Sequence, residues 1–335
     1  MTIFATSNPA ESQTAEQRME NRVLLVDDSR LYRHLVTRYL ESWGFDVSIA
    51  TNGLEAWQIL QQPESPTVVL LDWEMPGMNG VELCRKLRER DPSEAYIYTI
   101  LLTAKEGQAN LLSAMEAGID DYLVKPFEEG ELKARLLVGQ RIARLQRELI
   151  TARESMRNAA TYDPLTGLLN RREIIARLRQ ELAKAKRDKS SVSIILADID
   201  FFKAVNDELG HLVGDEVLRE VGRRLQSGLR SYDSVGRYGG EEFLLVIPGC
   251  GPGPGFERAD QIRASVAATT VDTSAASRKV TLSMGIVVAN GHNQPDLELL
   301  LQQADLGLYK AKRNGRNRVE NIGECESSTP APPGP

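Results

Sequence analysis

Four short apolar runs, each stopping at a residue capable of chemistry, constrain this chain most. Residues 23–26 stop at Asp27 and Asp28, 67–71 at Asp72, 97–102 at Thr103, and 121–124 at Lys125. Amphipathic stretches such as 30–42 and 81–90 lie between them. Continuous apolar strands separated by helices imply a parallel sheet covered on both faces, a doubly wound (βα)5 α/β domain. In such sheets reactive groups gather at the carboxyl ends of the strands, and all five residues sit there.

Taken singly, an aspartate after a strand is most often a helix cap or turn residue. Together, three carboxylates cannot all stay charged without a cation, and a hard divalent ion such as Mg2+ would neutralise them. One carboxylate can then attack a phosphoryl donor and form an acyl phosphate. A lysine can pair with the incoming group, and a hydroxyl can donate to it.

The chain has 335 residues, and at about 150 per domain that leaves room for a second domain. Its 47 acidic and 41 basic residues give a net charge of −6, which argues against a general nucleic-acid binder. Cys84, Cys250 and Cys325 show no CxxC pairing, so disulfide and zinc readings are poor and a reducing cytoplasm fits. The N-terminus has no apolar core of signal-peptide length, and no run approaches about 18 apolar residues, so neither secretion nor a membrane span is expected. Residues 1–21 and 322–335 are polar and read as disordered.

After Glu128 comes a long stretch without proline. Val138, Ile142, Leu145, Leu149, Ala152, Met156 and Ala159 recur at alternating spacings of four and three, an a/d stripe flanked by Arg, Glu and Gln. It reads as a coiled-coil stalk over 138–162, with a helix packed on its own domain as the plainer alternative. Asp163-Pro164 ends it. A second domain over 163–321 has strand candidates at 192–199, 233–237, 242–247 and 280–289, with a tight hairpin at 237–242. Strand, helix, hairpin, helix and strand in that order suggest a ferredoxin-like α/β sandwich containing antiparallel strands.

Gly239-Gly240 at the hairpin permits close backbone approach to a ligand. Glu241 and Glu242 beside them can hold metal or accept a proton. A strand ending in Asp198, then a tight turn and Lys203, suits a Mg2+-triphosphate. Asp215 can accept from the N1–H and N2–H2 edge of guanine, and Asn206 complements it. Lys312 and Arg316 add cations for phosphate.

The strings VLLVDDS, VVLLDWEMPGMNG, ILLTAK and DDYLVKP resemble the response-regulator receiver family over about residues 22–140. The resemblance implies Asp72 as phosphoacceptor. It implies Asp28 and Asp72 as metal ligands, with Asp27 assisting and the Trp73 carbonyl contributing. Thr103 and Lys125 would grip the phosphoryl group, and the Lys125-Pro126 bond would be cis. Tyr122 stands where the family carries its switch aromatic, and it equally suits a half-buried core ring.

DPLTGLLNRR, DIDFFKAVNDELGHLVGDEVL, RYGGEEF, VTLSMGI and ADLGLYKAKRNGRN resemble the GGDEF family of diguanylate cyclases, whose fold is related to class III nucleotide cyclases. The whole arrangement resembles WspR-type and PleD-type response regulators: a receiver over 22–137, a stalk over 138–162 and a GGDEF domain over 163–321. The resemblance implies Mg2+ on Asp198, the Ile199 carbonyl and Glu241, with Glu242 as a further ligand. Glu241 would also assist deprotonation of a ribose 3′-OH. Asn206 and Asp215 would read guanine. Lys203, Lys312, Arg316 and backbone amides near Phe201, Phe202 and Lys203 would bind phosphates.

The implied reaction joins two GTP into cyclic di-GMP, with one GTP on each domain of a homodimer. A cognate histidine kinase would phosphorylate the receiver. A dimer through stalk and cyclase domains is expected, with a tetramer as the alternative, and neither nucleic acid nor membrane as partner. Arg230 and Asp233 match the family's RxxD product-inhibition site, whereas an exposed ion pair is the plainer reading. Gln261 falls where some relatives carry a second arginine, with Arg258 and Arg263 nearby.

The rival readings are weaker. A decayed product receptor would have lost Asp198, Glu241 or Asp215. An ATP-using cyclase would not need Asp215, since adenine lacks the N1–H donor. A DNA-binding output would need a helix-turn-helix and a basic face, and a phosphodiesterase would need a further domain.

Overall fold

A computed structural model describes residues 21–62, 65–91, 95–104, 108–291 and 296–321, without the side chains of 108–111. The terminal segments 1–20 and 322–335, read above as disordered, lie outside the described residues, as does Cys325. The chain divides into two compact units between Glu154 and Ser155.

The first unit is a five-stranded sheet of β1 (Arg22–Val26), β2 (Asp46–Ala50), β3 (Val68–Asp72), β4 (Tyr98–Thr103) and β5 (Asp121–Val124). Their order is β2-β1-β3-β4-β5 and every pairing is parallel. Side chains alternate between the two faces along each strand. Leu24, Val26, Val69, Leu71 and Leu101 therefore enter one core, and Val23, Leu25, Val68, Leu70 and Leu102 the other. This is the expected doubly wound sheet. The edge strand β2 escaped the sequence reading because only Ala50 is buried in it, so it carries no apolar run.

The helix Gly80–Arg88 opens with a reciprocal cap between Asn79 and Glu82. A Cβ at Gly80 would lie 2.4 Å from the Asp72 carbonyl oxygen, so only glycine lets this helix start so close to the end of β3.

The stalk differs from the expected separate segment. A single helix runs Glu129–Thr161. Its early face of Leu132, Leu136, Gly139 and Ala143 is buried in the first unit, so the stalk begins inside that unit's last helix. Gly139 is needed there, since a Cβ would meet the Tyr98 ring at 2.5 Å. The a/d stripe lies off this face. Val138 is 50% exposed, Leu145 53%, Leu149 63% and Met156 74%, while Ile142 packs partly on the core.

The second unit holds β6 (Ser191–Ile199), β7 (Ser234–Arg237), β8 (Glu242–Pro248), a small pair β9 (Val271–Asp272) and β10 (Ser277–Arg278), then β11 (Leu282–Asn290) and β12 (Val319–Asn321). The main sheet runs β12-β11-β6-β8-β7, antiparallel except for β11 with β12. Helices His211–Ser227 and Pro252–Ala267 pack through Val217, Val221, Ile262 and Val266 on one face. Helices Arg171–Asp188 and Leu297–Arg313 pack through Ile174, Leu178, Leu300 and Leu308 on the other. Each such buried aliphatic contributes about 1.5–3 kcal/mol. The four strands β11-β6-β8-β7 have the ferredoxin-like order expected. β12 and the small pair were not anticipated, being too short to show a pattern.

Among the described residues, no helix is long and apolar enough to cross a membrane.

Candidate functional site

In the first unit the five expected residues converge at the carboxyl ends of the strands. Asp27, Asp28 and Asp72 each present an oxygen, all three within 4.8 Å of one another. Asp27 is fully buried. Lys125 Nζ lies 2.7 Å from Asp27 Oδ2 and 3.1 Å from Asp72 Oδ1. Burial pushes the Asp72 carboxyl above its ordinary range and the Asp27 charge adds to this, while Lys125 draws it back. So many carboxylate oxygens around one ammonium suit a hard divalent cation. The Trp73 carbonyl accepts from Gly80 N–H at 3.2 Å and has a second lone pair. Thr103 is fully buried at the end of β4 and lines the same cavity of about 360 Å3.

The Lys125-Pro126 bond is cis. Tyr122 is half-buried, its ring 5.9 Å from the Arg135 guanidinium that pairs with Asp121. Sequence reasoning passed over Tyr32, whose ring lies 4.3 Å from Lys125 Nζ.

In the second unit Asp198 and Glu242 are direct partners across β6 and β8. Glu241 precedes Glu242 at the hairpin tip, where Tyr238 and Gly239 both donate to the Glu242 carbonyl. Asp198 is only 3% exposed and pairs with Lys312 Nζ at 2.8 Å. Burial pushes the Asp198 carboxyl up, against the pull of Lys312. Burial and then the Asp198 charge push Glu241 and Glu242 up as well. Three carboxylates with raised proton affinity mark a site that a divalent cation would relieve.

Lys312 is held in place by the seat of its helix. A Cβ at Gly285 of β11 would lie 2.0 Å from the Ala304 carbonyl, so glycine there lets the helix Leu297–Arg313 rest directly on the strand. Phe201 takes a left-handed backbone at φ 59°, and the helix Phe202–Leu209 starts after it without a side-chain cap. Its first amides and the exposed Lys203 are thus presented at the end of β6. Asn206 reaches Gly214, where a Cβ would lie 1.9 Å from Asn206 Oδ1, and half-buried Asp215 is the next residue of the helix His211–Ser227.

In this second unit, two residues were given no role by the sequence reading. Asp200 is 6% exposed and accepts from the Thr281 and Ser283 hydroxyls, both at 2.6 Å, and from Asn317 N–H at 3.1 Å. It thereby pins the left-handed turn at Arg316 and Asn317, where the Arg316 guanidinium lies 4.4 Å from the Phe201 ring centre. Its place two residues after Asp198 was the available signal. Arg237 is the other, and it pairs with Asp163.

At the RxxD turn, Arg230 is exposed and donates to the Tyr232 hydroxyl at 2.7 Å. Asp233 accepts from Arg230 N–H at 2.9 Å with its side chain fully covered. Gln261 is exposed, and Arg263 is tied to Asp260 and Asn317, each at 2.7 Å.

Residues 23–137 match the response regulator receiver domain, and residues 160–318 match the diguanylate cyclase GGDEF domain. Response regulator PleD of Caulobacter vibrioides is 31% identical over 309 residues, covering 89% of this chain and 65% of that protein. Diguanylate cyclase DosC of Escherichia coli is 41% identical over 190 residues, 56% of this chain and 40% of that protein. The crystal structure of the coiled coil and GGDEF domain of DgcB from Caulobacter crescentus in complex with c-di-GMP shares 29% identity, covering 57% of this chain and 98% of that one, at a TM-score of 0.48. The chain thus spans less than two thirds of the length of these curated relatives. One matched domain thus lies in each compact unit, a receiver domain in the first and a GGDEF domain in the second.

Proposed function

We propose that this protein is a diguanylate cyclase switched on by phosphorylation of Asp72, active as a homodimer and restrained by its own product. The observation that carries the reading is the convergence of Asp198, Glu241 and Glu242 with Lys312 in one frame, with Asn206 and Asp215 on the two helices that follow β6. The first set suits a metal-triphosphate and the second a guanine base.

Each domain binds one GTP, with guanine on Asn206 and Asp215 and phosphates on Lys203, Lys312, Arg316 and the amides of 201–203. Each 3′-oxygen attacks the α-phosphorus of the opposite GTP. Two new O–P bonds form, the two bonds to pyrophosphate break, and Glu241 of each domain takes a hydroxyl proton. Mg2+ bound by Asp198, the Ile199 carbonyl, Glu241 and Glu242 would neutralise charge on the phosphoryl oxygens. Each domain supplies half a site, so turnover depends on bringing two together.

In the receiver, an Asp72 oxygen attacks the phosphorus of a donor held by a histidine kinase, and the donor's bond to phosphorus breaks. Asp27, Asp28, Asp72 and the Trp73 carbonyl would hold Mg2+ there. Thr103 and Lys125 hold the transferred group. The exposed stripe from Val138 to Met156 supports pairing of two stalks, which would cover it. Arg230 and Asp233 form the inhibitory product site.

The test is purified full chain with GTP and Mg2+, with and without beryllofluoride. Cyclic di-GMP should form, faster with beryllofluoride, and Asp72→Asn should bring the ratio of the two rates to one. No product from GTP sinks the cyclase reading, and an undiminished response in Asp72→Asn sinks the receiver reading.

A further inference from the structure

We propose that Arg258 sets the product sensitivity of this protein, because its guanidinium covers the Asp233 carboxylate and must move aside before a guanine base can pair with it. The inference rests on the inhibitory reading of Arg230 and Asp233.

A carboxylate reads guanine with both oxygens, one for N1–H and one for N2–H2. Neither Asp233 oxygen is open to such a ligand. Oδ2 accepts from Arg230 N–H at 2.9 Å, and the side chain is 0% exposed. Oδ1 is enclosed and makes no hydrogen bond among the described residues. The neighbouring cation is Arg258, on the helix Pro252–Ala267, with Nη2 3.9 Å from Asp233 Oδ2.

Arg258 is not anchored on that carboxylate. Nη2 donates to the Gly228 carbonyl at 2.5 Å, and Nε is enclosed without a partner. A pair 3.9 Å apart is loose, and each enclosed polar atom without a partner is costly. The arginine therefore neutralises the carboxylate and blocks it without satisfying it. A guanine edge would supply the bond that Oδ1 lacks, so the cover is displaceable at a cost. That cost weakens product binding by the fraction of time Arg258 is in place.

Arg230 is in a different state. It is exposed and, among the described residues, its guanidinium is held only through Tyr232, ready to meet a guanine or phosphate oxygen. Arg263 is spent on Asp260 and Asn317. Thus, of the basic residues near this turn, one awaits the product and one opposes it.

The experiment measures cyclic di-GMP binding to the full chain by calorimetry, together with the product concentration that halves GTP turnover. Arg258→Ala and Arg258→Gln are compared with wild type, the glutamine keeping a donor for the Gly228 carbonyl without the charge. In the variant whose circular dichroism matches wild type, product should bind about fivefold more tightly or better, and the half-inhibiting concentration should fall in step. Weaker binding would make Arg258 a product ligand, and unchanged binding a bystander; either overturns the proposal. Arg230→Ala is run in parallel. If it still binds product as wild type does, the RxxD reading itself fails. If it loses binding while the Arg258 variants do not gain it, only the present inference fails.

Discussion

Arg237, the last residue of β7, grips Asp163, the second residue beyond the stalk helix. Its Nη1 lies 3.3 Å from both Asp163 oxygens, while Nε and Nη2 hold the Gly240 carbonyl at 3.1 and 2.8 Å. Asp163 also accepts from the Thr166 amide and hydroxyl at 2.9 and 2.8 Å. One guanidinium thus joins the turn after the stalk to the hairpin that carries Glu241.

Burial pushes the Asp163 carboxyl up, but the Thr166 hydrogen bonds and the Arg237 charge outweigh it and hold it below the ordinary range. A depressed carboxyl contributes stability above its unfolded value of about 3.9, lost as pH falls through the lower folded value. Arg237→Ala should therefore cost about 1.5–3 kcal/mol at pH 7 and less near pH 3, by urea unfolding at both. An equal loss at the two values would show that the charge pair contributes nothing.

Asp200 supports Arg316 through Asn317. Asp200→Asn replaces one accepting oxygen by a donor that faces either the Ser283 hydroxyl or the Thr281 hydroxyl and the Asn317 amide. The Arg316 turn should loosen, and the KM for GTP should rise by about tenfold, the equivalent of one hydrogen bond of about 1.4 kcal/mol. An unchanged KM would separate this buried aspartate from phosphate binding.

Asp198 and Glu241 are expected to hold metal. Asp198→Ala or Glu241→Gln should lower cyclic di-GMP formation by about 100-fold or more and should weaken Mg2+-dependent binding of a non-hydrolysable GTP analogue. A variant that turns over at a tenth of the wild-type rate would show the metal to be elsewhere. Removing Mg2+ from the wild type with EDTA should abolish turnover.

Leu145 and Leu149 lie on the exposed stripe of the stalk. Replacing both by Asp forfeits about 1.5–3 kcal/mol per side chain buried on pairing and sets like charges face to face. Sedimentation should show a monomer, and beryllofluoride should no longer raise the rate. A monomer that still responds fully would remove stalk pairing from the switch.

Much of the chemistry was readable from the chain alone. Asp27, Asp72, Thr103 and Lys125 stand at the ends of apolar runs, and in a parallel sheet those ends converge. Asp198 and Glu242 likewise stand near the ends of strands that pair. The edge strand β2 and the short β12 were invisible because strand patterns arise from burial, and these have little of it.

The sequence by itself determined the two domains and the kinds of residue at each strand end, since apolar periodicity and turn residues are local properties. Only the tertiary structure decided that Arg237 meets Asp163, that Asp200 pins the Arg316 turn and that Arg258 lies beside Asp233. These pairs lie 25 to 117 positions apart along the chain. What brings them together is the packing of helices on a sheet, where a glycine such as Gly285 sets the approach distance and no nearby residue signals the partner.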